Sequence, residues 1–319
     1  MEAQKANVIP LPRDMSPVSD EIDLRELVIA LWHGKWWIFS TTIIATGLAV
    51  AFALWSPNIY RAEALLTPSL EQQGGGLSAL ASRFGGLASL AGVDLGNKGG
   101  DKASIAIEVG KSRLFLGDFI RHHQLAVPLI AATGMDKTTG ELIIDPQIYD
   151  ALTQKWVREV PAGKSPEPTD WELIKAFRGL VSLNSDPKTG LLTVSVDFYS
   201  PLLAKQWVDW LINDLNHTMK QRDQEEAKRN ISYLTEQLSK TSVADMQKVF
   251  YQLIEEQTKT LMLAEVNQEY VFKVLDPAVI AEEKIKPKRA LIVVLGALLG
   301  GMLGVMIVLV RFAFRHDKK

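Results

Sequence analysis

Cysteine is absent from the 319 residues, which excludes thiol nucleophiles, disulfide frameworks and cysteine-ligated zinc while leaving oxidising and reducing compartments both open. An excess of one charge is absent as well. The 35 basic and 37 acidic residues give a formal net charge of −2, whereas a nucleic-acid partner needs Lys and Arg gathered in excess on one face. Charge of either sign is missing from two windows, Trp36 to Tyr60 and Ala290 to Val310, each reaching the ~20 residues of a membrane helix. Glycine and proline are missing from Leu202 to Asp276, so an unusually long helical region is expected there.

What is present between these gaps is organised by the two apolar windows. The second, ALIVVLGALLGGMLGVMIVLV, has no polar side chain and is predicted as a transmembrane helix. The first is flanked by Trp32, Trp36 and Trp37 before it and by Trp55 and Tyr60 after it, the aromatic belts of two membrane interfaces. Ala51-Phe52-Ala53 imitates a signal-peptidase site, but a signal peptide begins with a short positive leader. Here Lys5, Arg13, Arg25 and Lys35 are mixed with six acidic residues, so two spans are expected. Four basic residues before the first span and only Arg61 soon after it place both termini in the cytoplasm and residues 57–289 on the other side. Lys284, Lys286, Lys288 and Arg289 run against that bias, and anionic headgroups are the partners the sequence offers for them. The spans leave about 230 residues between them, room for one or two domains.

Within that stretch, Tyr60 to Leu66 reads as a strand, closed by Pro68. Nine of the 22 glycines then fall between Gly74 and Gly100, too many for stable helix, so a flexible or partner-ordered segment is expected. Apolar spacing predicts a helix from Ser104 to His123 and a second from Tyr149 to Val157. The prolines of Pro161 to Pro168 mark a loop. Thr169 and Glu172 fit a capping box, and Leu192, Val194, Val196 and Phe198 alternate with polar residues as half of a hairpin begun at Leu180. Ser200-Pro201 opens the long helix. Leu203, Trp207, Leu211 and Leu215 give it a buried stripe, and Leu234, Leu238, Leu253 and Leu261 belong to later stripes suited to antiparallel or intersubunit packing. A turn at Ser239 to Ser242, with Ser242 and Asp245 as a new capping box, favours a hairpin over one rod. Tyr270 to Leu275 alternates as a strand returning to the sheet.

Chemistry-bearing patterns fail on inspection. Gly110-Lys111-Ser112 and Gly163-Lys164-Ser165 imitate the end of a phosphate loop, but the required earlier glycine is Ile105 in one and Arg158 in the other. His122-His123 are adjacent and diverge by about 100° on a helix, so they cannot share an ion without other ligands. Glu225-Glu226, Glu255-Glu256 and Glu282-Glu283 sit in charged or amphipathic stretches and read as solvated faces, not as a catalytic pair. No catalytic residue, cofactor or metal is expected. What remains is association. Gly296, Gly300 and Gly304 form two overlapping GxxxG repeats that let another backbone approach closely, and Thr41, Ala45, Ala49 and Ala53 offer a matching ridge. Whether that ridge or a neighbouring copy is the partner stays open at this level.

The order of these features resembles the Wzz-type chain-length determinants, or polysaccharide co-polymerases. The likeness is carried by Tyr251 to Gln257 with Leu263-Ala264, by Glu269 to Ala278, by Pro287 to Ile292 and by the glycines from 296 to 304. Ala281-Glu-Glu283 departs from it where another proline is expected. The resemblance implies an α+β fold, with two transmembrane helices flanking a periplasmic α/β base and a long helical hairpin. The division it implies is a cytoplasmic segment 1–35, a first span 36–56 and a base 57–200 containing the glycine-rich segment 74–100. A helical region 201–268, a return strand and approach to the membrane 269–289, a second span 290–311 and a tail 312–319 complete it.

It further implies a non-enzymatic regulator of the bacterial inner membrane that forms a ring-like homo-oligomer. Such a regulator sets surface-polysaccharide length, O-antigen lipopolysaccharide above all. Its partners would be itself, the glycan polymerase, the lipid-linked polysaccharide and membrane lipids, and by analogy Pro277, Pro287 and Lys288 would guide the chain into the membrane. Co-polymerases that carry a tyrosine kinase fit less well, because the chain stops at Lys319 and has no phosphate loop. A capsule-export component of an ABC-transporter system and a two-span periplasmic sensor are the rival readings.

Overall fold

The computed structural model describes residue 29 and residues 31–69 and 98–316; most of the glycine-rich segment, the start of the chain and the last three residues lie outside them. The described chain divides into two units, a pair of long apolar helices and the intervening Ser56–Pro287.

The first apolar helix, α1, spans Lys35–Trp55. After it comes β1 (Ile59–Pro68), then α2 (Lys98–Lys111) and α3 (Arg113–His122). The sequence predicts one helix across the last two. Ser112 breaks it, because its hydroxyl accepts from Phe115 N at 3.2 Å and caps α3, a local bond that competes with helix continuation. A short helix α4 (Ala126–Ala131) runs into β2 (Ala132–Met135), which pairs with β3 (Leu142–Ile144).

The helix predicted from Tyr149 to Val157 is instead a small hairpin, β4 (Tyr149–Asp150) with β5 (Lys155–Trp156). The Asp150 carboxylate accepts from Leu152 N at 2.9 Å and Thr153 Oγ1 at 2.6 Å. That turn chemistry outbids a weak helical pattern. Gln154 takes a φ of 53° and Tyr149 meets Trp156 edge-on at 5.0 Å.

Helix α5 (Asp170–Arg178) starts from the capping box read in the sequence, with Thr169 Oγ1 accepting from Glu172 N and a Glu172 carboxylate oxygen accepting from Thr169 N. Strands β6 (Val181–Ser185) and β7 (Leu192–Phe198) form the expected hairpin, closed by Asp186 and by Gly190 at φ +69°.

Ser200 then caps α6 (Pro201–Lys240), a helix of 40 residues with Pro201 in its first turn, about 60 Å long at ~1.5 Å per residue. Helix α7 (Ala244–Val266) returns, and β8 (Phe272–Asp276) and β9 (Lys284–Lys286) lead to the second apolar helix, α8 (Arg289–His316).

The sheet is antiparallel in the order β6-β7-β1-β8, with β9 also on β1. The return strand therefore lies beside the first strand of the domain. Leu192, Val194, Val196 and Phe198 of β7 and Ala62, Ala64 and Leu66 of β1 are buried, as are Trp207, Val208, Leu211 and Leu215 on the N-terminal part of α6. Trp207 anchors this layer, with its ring 4.3 Å from Phe198 and 6.0 Å from Phe177 between centroids. Three aromatic side chains meeting there supply a large share of the apolar area removed from water.

Candidate functional site

The two apolar helices pack on one another through the residues singled out in the sequence. A Cβ built on Gly300 would lie 2.6 Å from Ala45 Cβ and 3.1 Å from Thr42 Cα. One on Gly296 would overlap Ala49, and one on Gly304 would overlap Thr41 and lie 2.7 Å from Ile38 Cα. The glycines thus face the chain's own first span, and only hydrogen fits in the seam. The threonine hydroxyls are satisfied on their own helix, Thr42 donating to Ile38 O at 2.7 Å and Thr46 to Thr42 O at 2.7 Å. The seam needs no hydrogen bond between helices and gains its attraction from close van der Waals contact. Ala53 is buried but meets no glycine; its carbonyl accepts from Arg289 Nε at 3.1 Å. Of the most apolar windows of α1 and α8, 6% and 17% is buried, so their outer faces are exposed apolar surface, as a lipid environment demands.

Lys286 Nζ and Arg61 both bond the Asp197 carboxylate, at 3.2 Å and 2.6 Å. Lys284 Nζ donates to Asn58 Oδ1 at 3.3 Å. Three of the four basic residues before the second span, counting Arg289, therefore have protein partners where the sequence offered lipid headgroups. Burial alone would raise the Asp197 carboxyl, but hydrogen bonds from Arg61 and Lys286 and their charge hold it below its ordinary value. Pro277 is exposed just past β8, Pro287 follows Lys286 through a cis bond, and Lys288 is exposed, its carbonyl accepting from Ile292 N.

Helices α6 and α7 form the antiparallel hairpin. Lys220 Nζ reaches Glu265 O at 3.3 Å and Asn230 Nδ2 reaches Gln257 Oε1 at 3.3 Å. Ala227 and Ala264 are fully buried, small residues where the hairpin is packed. Leu234, Leu238 and Leu261 are half-buried, while Leu253 is exposed. The turn corrects one expectation: Ser242 caps nothing, Val243 occupies the N-cap position without a side-chain bond, and Gln247 Nε2 instead donates to Thr241 O at 2.8 Å. Met246, Val249 and Leu253 are 46%, 46% and 37% exposed and, at spacings of three and four, share one outward stripe of α7.

Sequence reasoning missed the pin between α6 and β8. Asn216, fully buried, accepts at Oδ1 from Val271 N and Phe272 N and donates to Phe272 O, all at 2.9 Å. A polar residue inside the stripe of Leu211, Ile212, Leu215 and Met219 was the available signal. Asp223 likewise gathers Lys102 Nζ at 2.9 Å and Tyr270 OH at 2.8 Å. The phosphate-loop imitations are spent structurally: Ser112 caps α3, Lys111 pairs with Glu108, and Gly163 turns the chain at φ +90°. Among the described residues no group of three or more His, Asp or Glu side chains could hold a metal ion.

The family model for Wzz, the chain length determinant protein, matches residues 20–123, covering the first span and the start of the domain. Over those residues the chain is similar to the Wzz chain-length determinants. A second model, the G-rich domain described on a tyrosine kinase, matches residues 237–313, from the end of α6 through the second span. No curated protein matches the chain. Among solved structures, a full-length bacterial polysaccharide co-polymerase is 17% identical, covering 92% of this chain and 99% of its own, at a TM-score of 0.39. The chain spans the membrane twice, with its large domain in the periplasm.

Proposed function

We propose that this chain is a member of the Wzz family and regulates the length of a surface polysaccharide, O-antigen lipopolysaccharide, as a homo-oligomeric scaffold beside the glycan polymerase. Chain-length regulation is the general role of the family; the glycan, the polymerase contact and the scaffold mechanism are this proposal. It is carried by the exposed apolar stripe Met246, Val249 and Leu253 on a helix already paired within its own chain. Exposed apolar residues in register on a hydrated helix are best explained by burial against another copy. The sealed glycine seam complements that reading, because the span pair is a rigid anchor that leaves the hairpin to make the intersubunit contact. Length then depends on how long the assembly holds the growing glycan near the polymerase, with no bond made or broken by this chain.

The test is the surface-polysaccharide ladder from cells with and without the gene. A clustered distribution that becomes short and steadily declining on deletion supports the proposal. Polymer accumulating inside the cell would make the chain an export component, and an unchanged ladder would make it a sensor.

A further inference from the structure

Helices α2 and α3 and the middle of α6 enclose an open groove of about 1240 Å³, above the roughly 300–1,000 Å³ of a small-molecule site. Its floor is apolar, with Phe115 buried and with Ile105 45% and Leu114 75% exposed along the rim. Its polar wall is a stripe of α6 on which His217, Gln221 and Arg222 make no hydrogen bond or ion pair among the described residues. Its carboxylates are already matched: Glu108 bonds Lys111 at 3.1 Å, Asp118 bonds Arg121 at 2.6 Å, and Asp214 bonds the His123 ring at 2.9 Å. The groove therefore lacks the cationic excess that a nucleic acid or an anionic membrane surface would need. What it offers is an apolar platform beside planar imidazole, amide and guanidinium edges.

That combination matches a sugar chain, whose rings present C–H faces to an apolar floor and vicinal hydroxyls to donors and acceptors at its edge. We propose that this groove binds a short oligosaccharide stretch, with Ile105, Leu114 and Phe115 under the rings and His217, Gln221 and Arg222 on their hydroxyls. The assignment rests on the length-control reading, and it locates a polymer contact on each subunit.

The experiment is calorimetric titration of the full chain in lipid nanodiscs with oligosaccharides cut from the producing cell's own surface polymer. Saturable binding that weakens by about tenfold in Gln221→Ala and again in Arg222→Ala, as for loss of a hydrogen bond, supports the site. Both side chains are exposed, so an unchanged thermal midpoint checks that the fold is intact. Absence of binding, or equal affinity in both variants, overturns it. The chain has no cysteine of its own, so Leu114→Cys supplies a second measurement. Protection of that thiol from a maleimide by the oligosaccharide supports the site, and disulfide cross-linking between copies overturns it, because the groove is then a subunit interface. The ladder separates this proposal from the reading beneath it: a deletion that shortens the polymer while the groove binds nothing removes only the groove.

Discussion

The span pair and the helical hairpin are both antiparallel helix pairs, yet they are built on opposite terms. Between α1 and α8 the contact is glycine against alanine and threonine, with no room for a methyl group at Gly296, Gly300 or Gly304. Between α6 and α7 the small-residue contact is Ala227 and Ala264, and most other apolar side chains stay half-buried or exposed. Lipid explains the first, since apolar burial gives no driving force in hydrocarbon and only close packing distinguishes one helix face from another. Water explains the second, since an apolar stripe left exposed there is a standing incentive to associate. The same supersecondary unit therefore seals a seam in one place and leaves an apolar stripe exposed in the other, the stripe through which association is proposed.

The contrast is broken most severely by Gly300→Leu. The leucine must push α1 and α8 apart at the level of Ala45, an overpacking cost of about 1–3 kcal/mol or more. Clustering of the polysaccharide ladder should be lost while the protein still sediments with membranes. Normal banding would mean the seam has slack that the glycine distances deny. Next is Asn216→Ala, which strands the N–H groups of Val271 and Phe272 and the Phe272 carbonyl at a cost of about 1–3 kcal/mol; a thermal midpoint within a degree or so of the parent would contradict the pin.

Asp197 gives a smaller effect that depends on pH. Its carboxyl is held below its ordinary value in the folded chain, so the stability it contributes is complete above the unfolded value and is lost as pH falls through the folded one. The unfolding midpoint should drop on acidification through the carboxylate range, and Asp197→Asn should flatten that part of the drop. A profile of the same shape in the variant would remove Asp197 from the account. Smallest is the pair Thr169→Ala and Ser242→Ala. The first removes a formed cap and should cost about 1 kcal/mol; the second removes a hydroxyl that caps nothing and should be silent within ~0.5 kcal/mol.

That last pair also marks how far the sequence could be read. Long signals survived contact with the structure: two charge-free windows, strict alternation in β7, and a breaker-free run that became α6 and α7. Each is repeated over many residues and is hard to override locally. Short signals fared unevenly. Thr169 and Glu172 formed their box because Glu172 also receives Arg158 at 2.7 Å, while Ser242 lost its place to Val243 once Gln247 secured the turn from the other side. The helix expected at Tyr149 failed because a single Asp150 carboxylate organises the turn there. The glycine ridge was legible as a ridge, but its partner was not, since only coordinates show that it meets Ala45 and Ala49. The Asn216 pin and the Asp197 cluster join residues far apart in the chain, and no spacing rule brings such pairs together.

The central claim is that assembly through the hairpin, and no reactive group, sets polymer length. It is tested most directly by placing a charge on the outward stripe, Val249→Asp with Leu253→Asp, and measuring complex size in nanodiscs beside the polysaccharide ladder from the same cells. The account predicts an unchanged thermal midpoint, smaller complexes and a ladder that loses its clustering in step with them. Complexes that fall apart while the ladder keeps its clustered length would contradict it.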